Sequence, residues 1–305
     1  MLALLFTLLS FLAGAVLAAP DYSNHVFVIL SGSKFYFNYR HTLNAIMFYS
    51  YLKSCGITDD QILLMVPADH GCNPRNPFPA TLYHDVEHQH NWLCDDIEID
   101  YKAEDLTADS ILNLLRGRYD DHLPKSKRLI SGPDTKLFLY FNGHGGENFF
   151  KIQDTELIHS EDLAKVLNEM HAKKLYSEIF FMIDTCQAMT LFDEVTAPNI
   201  YMLATSVRDE SAIADKTDGV LNTFLADKFS GEFNAFLTQA NGFNGQQQFK
   251  LQDFKRLFTY EKILSHLTMK STGARPLSEV LLSEFLPYSD AWIDEQVRGV
   301  QWSDL

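Results

Sequence analysis

The sequence predicts an α/β protein whose central sheet is mostly parallel and carries helices on both faces. Runs of apolar residues with β-branched and aromatic character recur along the chain, and they are apolar throughout instead of alternating. Segments with helical spacing of apolar residues separate these runs, as expected of strands joined by crossover helices. The 305 residues are 46% hydrophobic and 21% charged, an ordinary globular composition that suffices for a large core.

The first elements alternate between strand and helix. Residues 24–31 have the pattern of a buried strand, and residues 40–56 have helical spacing and end in a glycine. Residues 61–66 predict a second buried strand. A Pro-rich, acidic segment then continues to about residue 105 and is too long to be a simple connection, so we expect it to carry function.

The same alternation continues through the middle of the chain. Residues 107–117 predict a short helix with Thr107 as N-cap, and residues 160–174 predict a helix with acidic residues in its first turn. The predicted strands of this region are 136–141, 178–184 and 199–205. Beyond residue 220 the pattern is mainly helical, over 221–237 and 251–263, and segment 276–286 stays unassigned.

The N-terminal segment has the features of a secretory signal peptide. Residues 1–20 contain no charged side chain and end in small residues that suit a signal peptidase. The alternative is an uncleaved membrane anchor, because the apolar run approaches the spanning length and lacks a basic start. We favour cleavage, which divides the chain into a signal peptide, 1–19, and one mature domain, 20–305.

Charge and cysteine content narrow the function classes. The net charge of −15 is spread along the chain, which argues against a nucleic-acid binder, whose basic residues would cluster. Four cysteines are present, at 55, 72, 94 and 186. If Cys186 stays reduced, an odd number remains, which indicates a free thiol or a bridge to another chain. Cys55 and Cys94 either pair or stay free, and the prolines around Cys72 favour an exposed, rigid loop.

Two predicted strands end at groups able to do chemistry. The first runs into His144 in "NGHGG", and the second runs into Cys186 in "IDTCQA". Reactive groups of open parallel sheets collect beyond the carboxyl ends of the strands, so the imidazole is expected beside the thiol as its base. The backbone N–H groups of Gly145 and Cys186 are candidate oxyanion donors. Asn38, after the first strand, is the candidate that orients the imidazole.

Several sequence blocks resemble a known family. "FYFNYRH", "CNPRNPFPAT", "KIQD", "NGHGG" and "IDTCQA" are similar to the glycosylphosphatidylinositol (GPI) transamidase branch of the legumain-related cysteine peptidases, from about residue 24 to about 210. The resemblance implies a caspase-like fold, with Cys186 as nucleophile, His144 as base and Asn38 as orienter. It also places Arg40 and Ser206 at the substrate cleft. Catalysis of this kind needs no cofactor.

The resemblance further implies a structural divalent cation, calcium, at Asp59, Glu98 and Asp100, because three hard oxygen ligands can tie the long loop to the sheet. Without the resemblance these carboxylates would be taken for a solvated acidic face. It also implies that Cys72 forms a disulfide with another transamidase subunit. The expected location is the lumen of the endoplasmic reticulum, at the membrane through partner subunits.

The function implied is transfer of a precursor protein to a GPI anchor. Cys186 would cleave the C-terminal attachment signal through a thioester, and the ethanolamine amine of the GPI glycolipid would resolve it. A legumain-like asparaginyl endopeptidase, in which water resolves the thioester, is the nearest alternative. A non-catalytic scaffold subunit is the other, and an intact Asn, His and Cys set argues against it.

Overall fold

A computed structural model describes residues 21–93, 96–238 and 249–287. The predicted signal peptide and Cys94 lie outside these ranges. The described residues form eleven strands: β1 His25–Ser31, β2 Ile62–Met65, β3 Lys136–Asn142, β4 Gly145–Gly146, β5 Phe149–Ile152, β6 Glu156–His159, β7 Glu178–Asp184, β8 Ile200–Ala204, β9 Ala214–Asp218, β10 Thr223–Asp227 and β11 Thr268–Ser271. Six of them form the central sheet in the order β11-β8-β7-β3-β1-β2. All of its pairs are parallel except that between β11 and β8, so the prediction of a mostly parallel sheet is confirmed.

Helices cover both faces of this sheet, as predicted. The described helices are α1 Tyr39–Ser54, α2 Ala108–Leu115, α3 Ser160–Ala172, α4 Lys228–Thr238, α5 Phe254–Leu257 and α6 Tyr260–Ile263. One core contains Phe27 and Ile29 of β1 and buried residues of α1, α4, α5 and α6. The other contains Val28 and Leu30 with α2 and α3. Neighbouring strand residues therefore enter opposite cores, which explains why the strands are apolar throughout.

The register of the three central strands positions the functional residues. Within the sheet, Ser31 of β1 is paired with Asn142 of β3, and Asn142 is paired with Asp184 of β7. These are the last residues of their strands. The three segments that follow them therefore emerge side by side at one edge of the sheet.

The prediction of continuous helix after residue 220 is wrong in its first part. Residues 223–227 form β10, which pairs antiparallel with β9, and a helix begins only at Lys228. Leu221, Phe224 and Leu225 have helical spacing, yet Phe224 is 42% exposed whereas its neighbours in β10 are buried. The Asp218 carboxylate accepts the N–H groups of the turn between the two strands, which stabilises a hairpin that periodicity alone does not predict.

The C-terminal part of the described chain is less regular than predicted. Residues 251–263 are divided into a 3-10 turn and the two short helices α5 and α6. The sequence did not predict β11, the antiparallel edge strand at 268–271. No helix in the described ranges is long and apolar enough to cross a membrane.

Candidate active site

The segments that carry His144 and Cys186 leave neighbouring strands at the same edge of the sheet. Each residue lies two positions beyond a paired strand residue, Asn142 of β3 or Asp184 of β7. The loops also touch, since a Cβ atom on Gly145 would lie 2.7 Å from Oγ1 of Thr185. Glycine is needed at 145 because a side chain there would separate the histidine loop from the nucleophile turn.

Asn38 contacts His144 as the sequence predicted. It ends a 3-10 turn, Tyr36–Asn38, that follows β1, and its side chain is fully buried. Its Oδ1 lies 2.8 Å from Nε2 of His144. An amide oxygen only accepts hydrogen bonds, so Nε2 carries the proton and Nδ1 keeps a lone pair. This tautomer suits a base that takes a proton from a thiol.

The surroundings of His144 favour a neutral imidazole. Burial lowers its pKa first, and the Arg40 guanidinium lowers it further, while the carboxylates of Asp154 and Asp227 oppose both effects. The ring of His41 packs edge-on against it, with 4.9 Å between ring centres. A pKa below the ordinary value of 6.5 leaves the imidazole unprotonated at neutral pH, as a general base requires.

Hydrogen bonds from a buried serine hold the turn that carries Cys186. Gln187 has a left-handed backbone, with φ of 53°, which turns the chain sharply after the half-buried cysteine. Ser206 was predicted to line the cleft. It is instead fully buried, and its hydroxyl donates to the Thr185 carbonyl at 2.6 Å and accepts the Ala188 N–H at 3.0 Å. Its side chain therefore supports the turn that carries Cys186.

Among the described residues, neither predicted oxyanion donor, the N–H of Gly145 or of Cys186, has a protein acceptor. The Lys151 N–H bonds the His144 carbonyl at 2.9 Å, and the next pair in this antiparallel ladder is Gly145 with Phe150. Bonded and non-bonded pairs alternate, so the Gly145 N–H points out of the ladder. Within the described ranges the Cys186 N–H donates to no protein acceptor.

Arg40, predicted at the cleft, is bound to a buried carboxylate. Its Nε donates to Asp227 at 2.9 Å, and Asn44 donates to the other carboxylate oxygen at 2.8 Å. Only 13% of the Arg40 side chain and 5% of the Asp227 side chain are exposed. Burial raises the pKa of Asp227, and the Arg40 cation opposes this. The Arg40 guanidinium thus compensates the negative charge of Asp227, a buried carboxylate next to the site.

A second buried acid, Asp184, was also missed by sequence reasoning. It accepts from Thr205 at 2.8 Å and from Ser230 at 2.6 Å, and burial together with the Asp227 charge raises its pKa. The available signal was the position of both acids at the ends of apolar strands, in "FFMID" and "TFLAD". An acid there is either exposed at the sheet edge or buried with partners, and the sequence pattern does not distinguish the two.

Two of the three carboxylates predicted to hold calcium accept hydrogen bonds from protein groups. Asp59 accepts from Tyr49 and from Lys53, each at 2.6 Å, and Asp100 accepts the Leu64 N–H at 2.9 Å. Burial raises the pKa of Asp100 to about 7, and the charges of Glu98 and Asp59 add to this. In the described part of the chain, no three His, Cys, Asp or Glu side chains converge as metal ligands.

The described cysteines are all free thiols. Cys72 is exposed, as the proline-rich loop predicted. Cys55 is half-buried, and burial raises its pKa to about 11. Cys94, the candidate partner of Cys55, lies outside the described ranges.

Comparison with known proteins relates this site to a family of peptidases. The model of the peptidase C13 family matches residues 25–258. The GPI-anchor transamidase of Saccharomyces cerevisiae is 39% identical over 264 residues, which are 86% of this chain and 64% of the yeast protein. That of Schizosaccharomyces pombe is 34% identical over 288 residues, 92% of this chain and 73% of the relative. The human one is 37% identical over 220 residues, 72% of this chain and 56% of the relative.

These figures mean that the chain spans about 64% of the length of the Saccharomyces relative. Among solved structures, caspase-1 from Spodoptera frugiperda superposes with a TM-score of 0.46 and 11% identity, over 83% of this chain and 88% of the caspase.

Proposed function

Because this chain belongs to the peptidase C13 family, we propose that it is a cysteine-dependent transamidase that attaches precursor proteins to a GPI anchor. The observation that carries the proposal is that His144 and Cys186 each follow a paired strand end by two residues, while Nε2 of His144 is held by Asn38. The similarity to proteins named GPI-anchor transamidase, at 34% to 39% identity in two yeasts, supports a GPI anchor as the group to which the precursor is joined. The proposed location is the lumen of the endoplasmic reticulum, at the membrane through partner subunits.

The first half of the reaction forms a thioester. Nδ1 of His144 takes the thiol proton, and the thiolate of Cys186 attacks the carbonyl carbon of the residue that will carry the anchor. The N–H groups of Gly145 and Cys186 stabilise the oxyanion, for which one donor contributes about 3 kcal/mol in other enzymes. The C–N bond then breaks, and the departing amine receives the proton from His144.

The second half consumes the thioester. The ethanolamine amine of the GPI attacks the carbonyl carbon, His144 accepts a proton from that amine, and the thiolate leaves. The product is an amide if the amine is positioned while water is kept out, since effective molarity then favours the amine. A legumain-like hydrolase would carry the same groups and release a free acid.

Product analysis distinguishes the two. In the assembled enzyme with a precursor substrate, we expect an added small amine such as hydrazine to appear in the product as an amide or hydrazide. Mass spectrometry of the new C-terminus reads this directly. Free acid as the sole product at saturating amine would assign the chain to the hydrolases.

We also propose that Cys72 forms a disulfide with a partner subunit. Its thiol is exposed, in a loop restricted by prolines, and therefore needs no rearrangement to reach another chain. A reduction-sensitive band of higher mass should appear on a non-reducing gel of the native complex and be lost in Cys72→Ser. Cys55→Ser is the matched control, because that thiol is less exposed than Cys72 and packs against the core that contains α1. Persistence of the band in Cys72→Ser would contradict the assignment.

Calcium at Asp59, Glu98 and Asp100 is proposed as structural. The donor set is all oxygen, and the negative charges of Glu98 and Asp59 add to burial in raising the pKa of Asp100, so a cation there would offset these charges. Binding requires Lys53 to leave Asp59, which it now contacts.

Calcium should therefore raise the melting temperature of the full chain, because a ligand of the native state alone stabilises it. Asp100→Asn should remove this response. Asp105→Asn should retain it, because the Asp105 carboxylate pairs with Lys127 in the wild type. Equal melting temperatures in calcium and in chelator would return these carboxylates to a solvated acidic face.

A further inference from the structure

The hairpin between β5 and β6 is the motif whose role the mechanism leaves unexplained. The sequence "KIQD", which is similar to the GPI transamidase branch, contains the last two residues of β5 and the first two residues of the turn at the tip, and none of them takes part in the proposed reaction. Gln153 and Asp154 both adopt left-handed backbone conformations, with φ of 50° and 65°. The Thr155 N–H closes the turn onto the Ile152 carbonyl at 3.1 Å. Two consecutive positive φ values define a tight hairpin turn that aims the Asp154 side chain in one direction.

This turn is anchored to the strand end that leads to Asn38. The Gln153 N–H donates to the carbonyl of Gly32, directly after β1, at 2.7 Å. The side-chain amide of Gln153, which is 8% exposed, donates to the Ala103 carbonyl at 2.8 Å. The hairpin tip is therefore held in place from both sides, which fixes the position of the next residue, Asp154.

Asp154 faces the far side of Asn38. Its Oδ2 accepts from Nδ2 of Asn38 at 3.4 Å and from the Lys34 N–H at 3.3 Å. Asn38 thus lies between a carboxylate and the imidazole of His144, with one atom of its amide toward each.

We propose that Asp154 is a positioning residue that sets the amide orientation of Asn38 and, through it, which nitrogen of His144 carries the proton. This inference rests on the proposed function of Cys186 and His144. An ionised carboxylate only accepts hydrogen bonds, so the amide group that faces Asp154 is the NH₂. The amide oxygen then faces His144, and only a protonated Nε2 can donate to it. The chain of contacts leaves Nδ1 as the base.

The Asp154 carboxylate decides which end of the Asn38 amide faces it, because an ionised carboxylate accepts hydrogen bonds only from the NH₂ group. Without Asp154 the amide can turn its NH₂ toward His144. That orientation favours the tautomer with the proton on Nδ1, which cannot accept a proton from the thiol. In other enzymes, activity falls strongly when the catalytic histidine adopts the wrong tautomer, or when a residue that orients a functional side chain is removed.

The charge of Asp154 has a second, separable effect. It raises the pKa of His144 and opposes burial and the cations of Arg40 and Lys151. Asp227 acts in the same direction, and the neighbouring ring of His41 is neutral because burial lowers its pKa strongly. Removing only the charge of Asp154 should therefore lower the pKa of His144 without turning the Asn38 amide.

Two substitutions separate orientation from charge, and both tolerate the left-handed backbone. Asp154→Asn keeps an acceptor for Asn38, and Asp154→Gly removes it. The readout is the rate at which iodoacetamide alkylates Cys186 in the full chain between pH 5 and 9, measured by peptide mass spectrometry. Because alkylation needs no precursor, GPI or amine, it tests the positioning even if transamidation is not the reaction.

At neutral pH we expect Asp154→Gly to alkylate about 10-fold to 100-fold more slowly than wild type. Asp154→Asn should stay within about threefold, with the acidic limb of its pH profile moved to lower pH, since its imidazole titrates lower. Glu156→Gln is the matched control on the same hairpin, because its carboxylate accepts the Ala108 N–H instead of facing Asn38.

Three outcomes would overturn the proposal. They are wild-type alkylation in Asp154→Gly, an equal loss in Asp154→Asn and Asp154→Gly, and an equal loss in Glu156→Gln. The melting temperature of each variant is measured alongside, and the full loss in Asp154→Gly at an unchanged melting temperature supports positioning.

Discussion

Replacing Cys186 with alanine should abolish anchor attachment and leave the chain folded. The expected loss is roughly 10⁴-fold or more, because the reaction has no thioester route without the sulfur. Stability should change by less than about 1 kcal/mol, since the side chain is half-buried at a strand end and packs in neither core. In cells that depend on the variant, GPI-anchored surface proteins should disappear while uncleaved precursors accumulate.

The matched variants complete this prediction. His144→Ala should cost about as much as Cys186→Ala, and the double variant should be no worse, because the two groups act as one unit. Asn38→Ala should be milder, since the imidazole survives and loses only its orientation. Cys55→Ala is the control for removal of a thiol away from the site. Normal surface levels of anchored proteins with Cys186→Ala would disprove the nucleophile assignment.

The second large effect concerns stability. Arg40→Met should lower the free energy of unfolding by about 3 kcal/mol at neutral pH, because it leaves Asp227 buried without its cation. The Arg40 to Asp227 contact is 2.9 Å with both side chains largely enclosed. Arg208→Met is the control, since the Arg208 guanidinium pairs with exposed Glu147 and Asp193 and such pairs contribute about 0–1 kcal/mol.

The loss of folding stability caused by Arg40→Met should be larger at high pH than at low pH. The folded-state pKa of Asp227 is already above its ordinary value of 3.8, and removal of Arg40 raises it further. A raised folded-state pKa favours folding at low pH, and this contribution is lost as pH rises through the folded-state value. Urea unfolding should therefore show the largest deficit above neutral pH and a smaller one toward pH 4. A deficit independent of pH would assign the loss to packing.

The sequence alone determined the five parallel strands of the central sheet, the strand ends at which His144 and Cys186 lie, and the fold class. Apolar runs that end at His144 and Cys186 are local features, and strands buried on both sides must be apolar throughout wherever they lie in the sheet. The N-cap Thr107 is local as well, and its hydroxyl accepts the Ser110 N–H at 3.0 Å. The predicted bounds of these elements agree with the structure within about two residues.

Tertiary structure decided what depends on partners distant along the chain. The register of β3 against β7 brings the segments of His144 and Cys186 to the same edge of the sheet, and the β5–β6 hairpin brings Asp154 to Asn38 across 116 positions. Whether an acid such as Asp227 is solvated or buried depends on Arg40, 187 positions away. The β9–β10 hairpin replaced a predicted helix for the same reason. The local periodicity of a sequence indicates which residues are buried. Which segments pair with each other depends on the free energy of contacts between residues distant along the chain, and the local pattern does not contain that information.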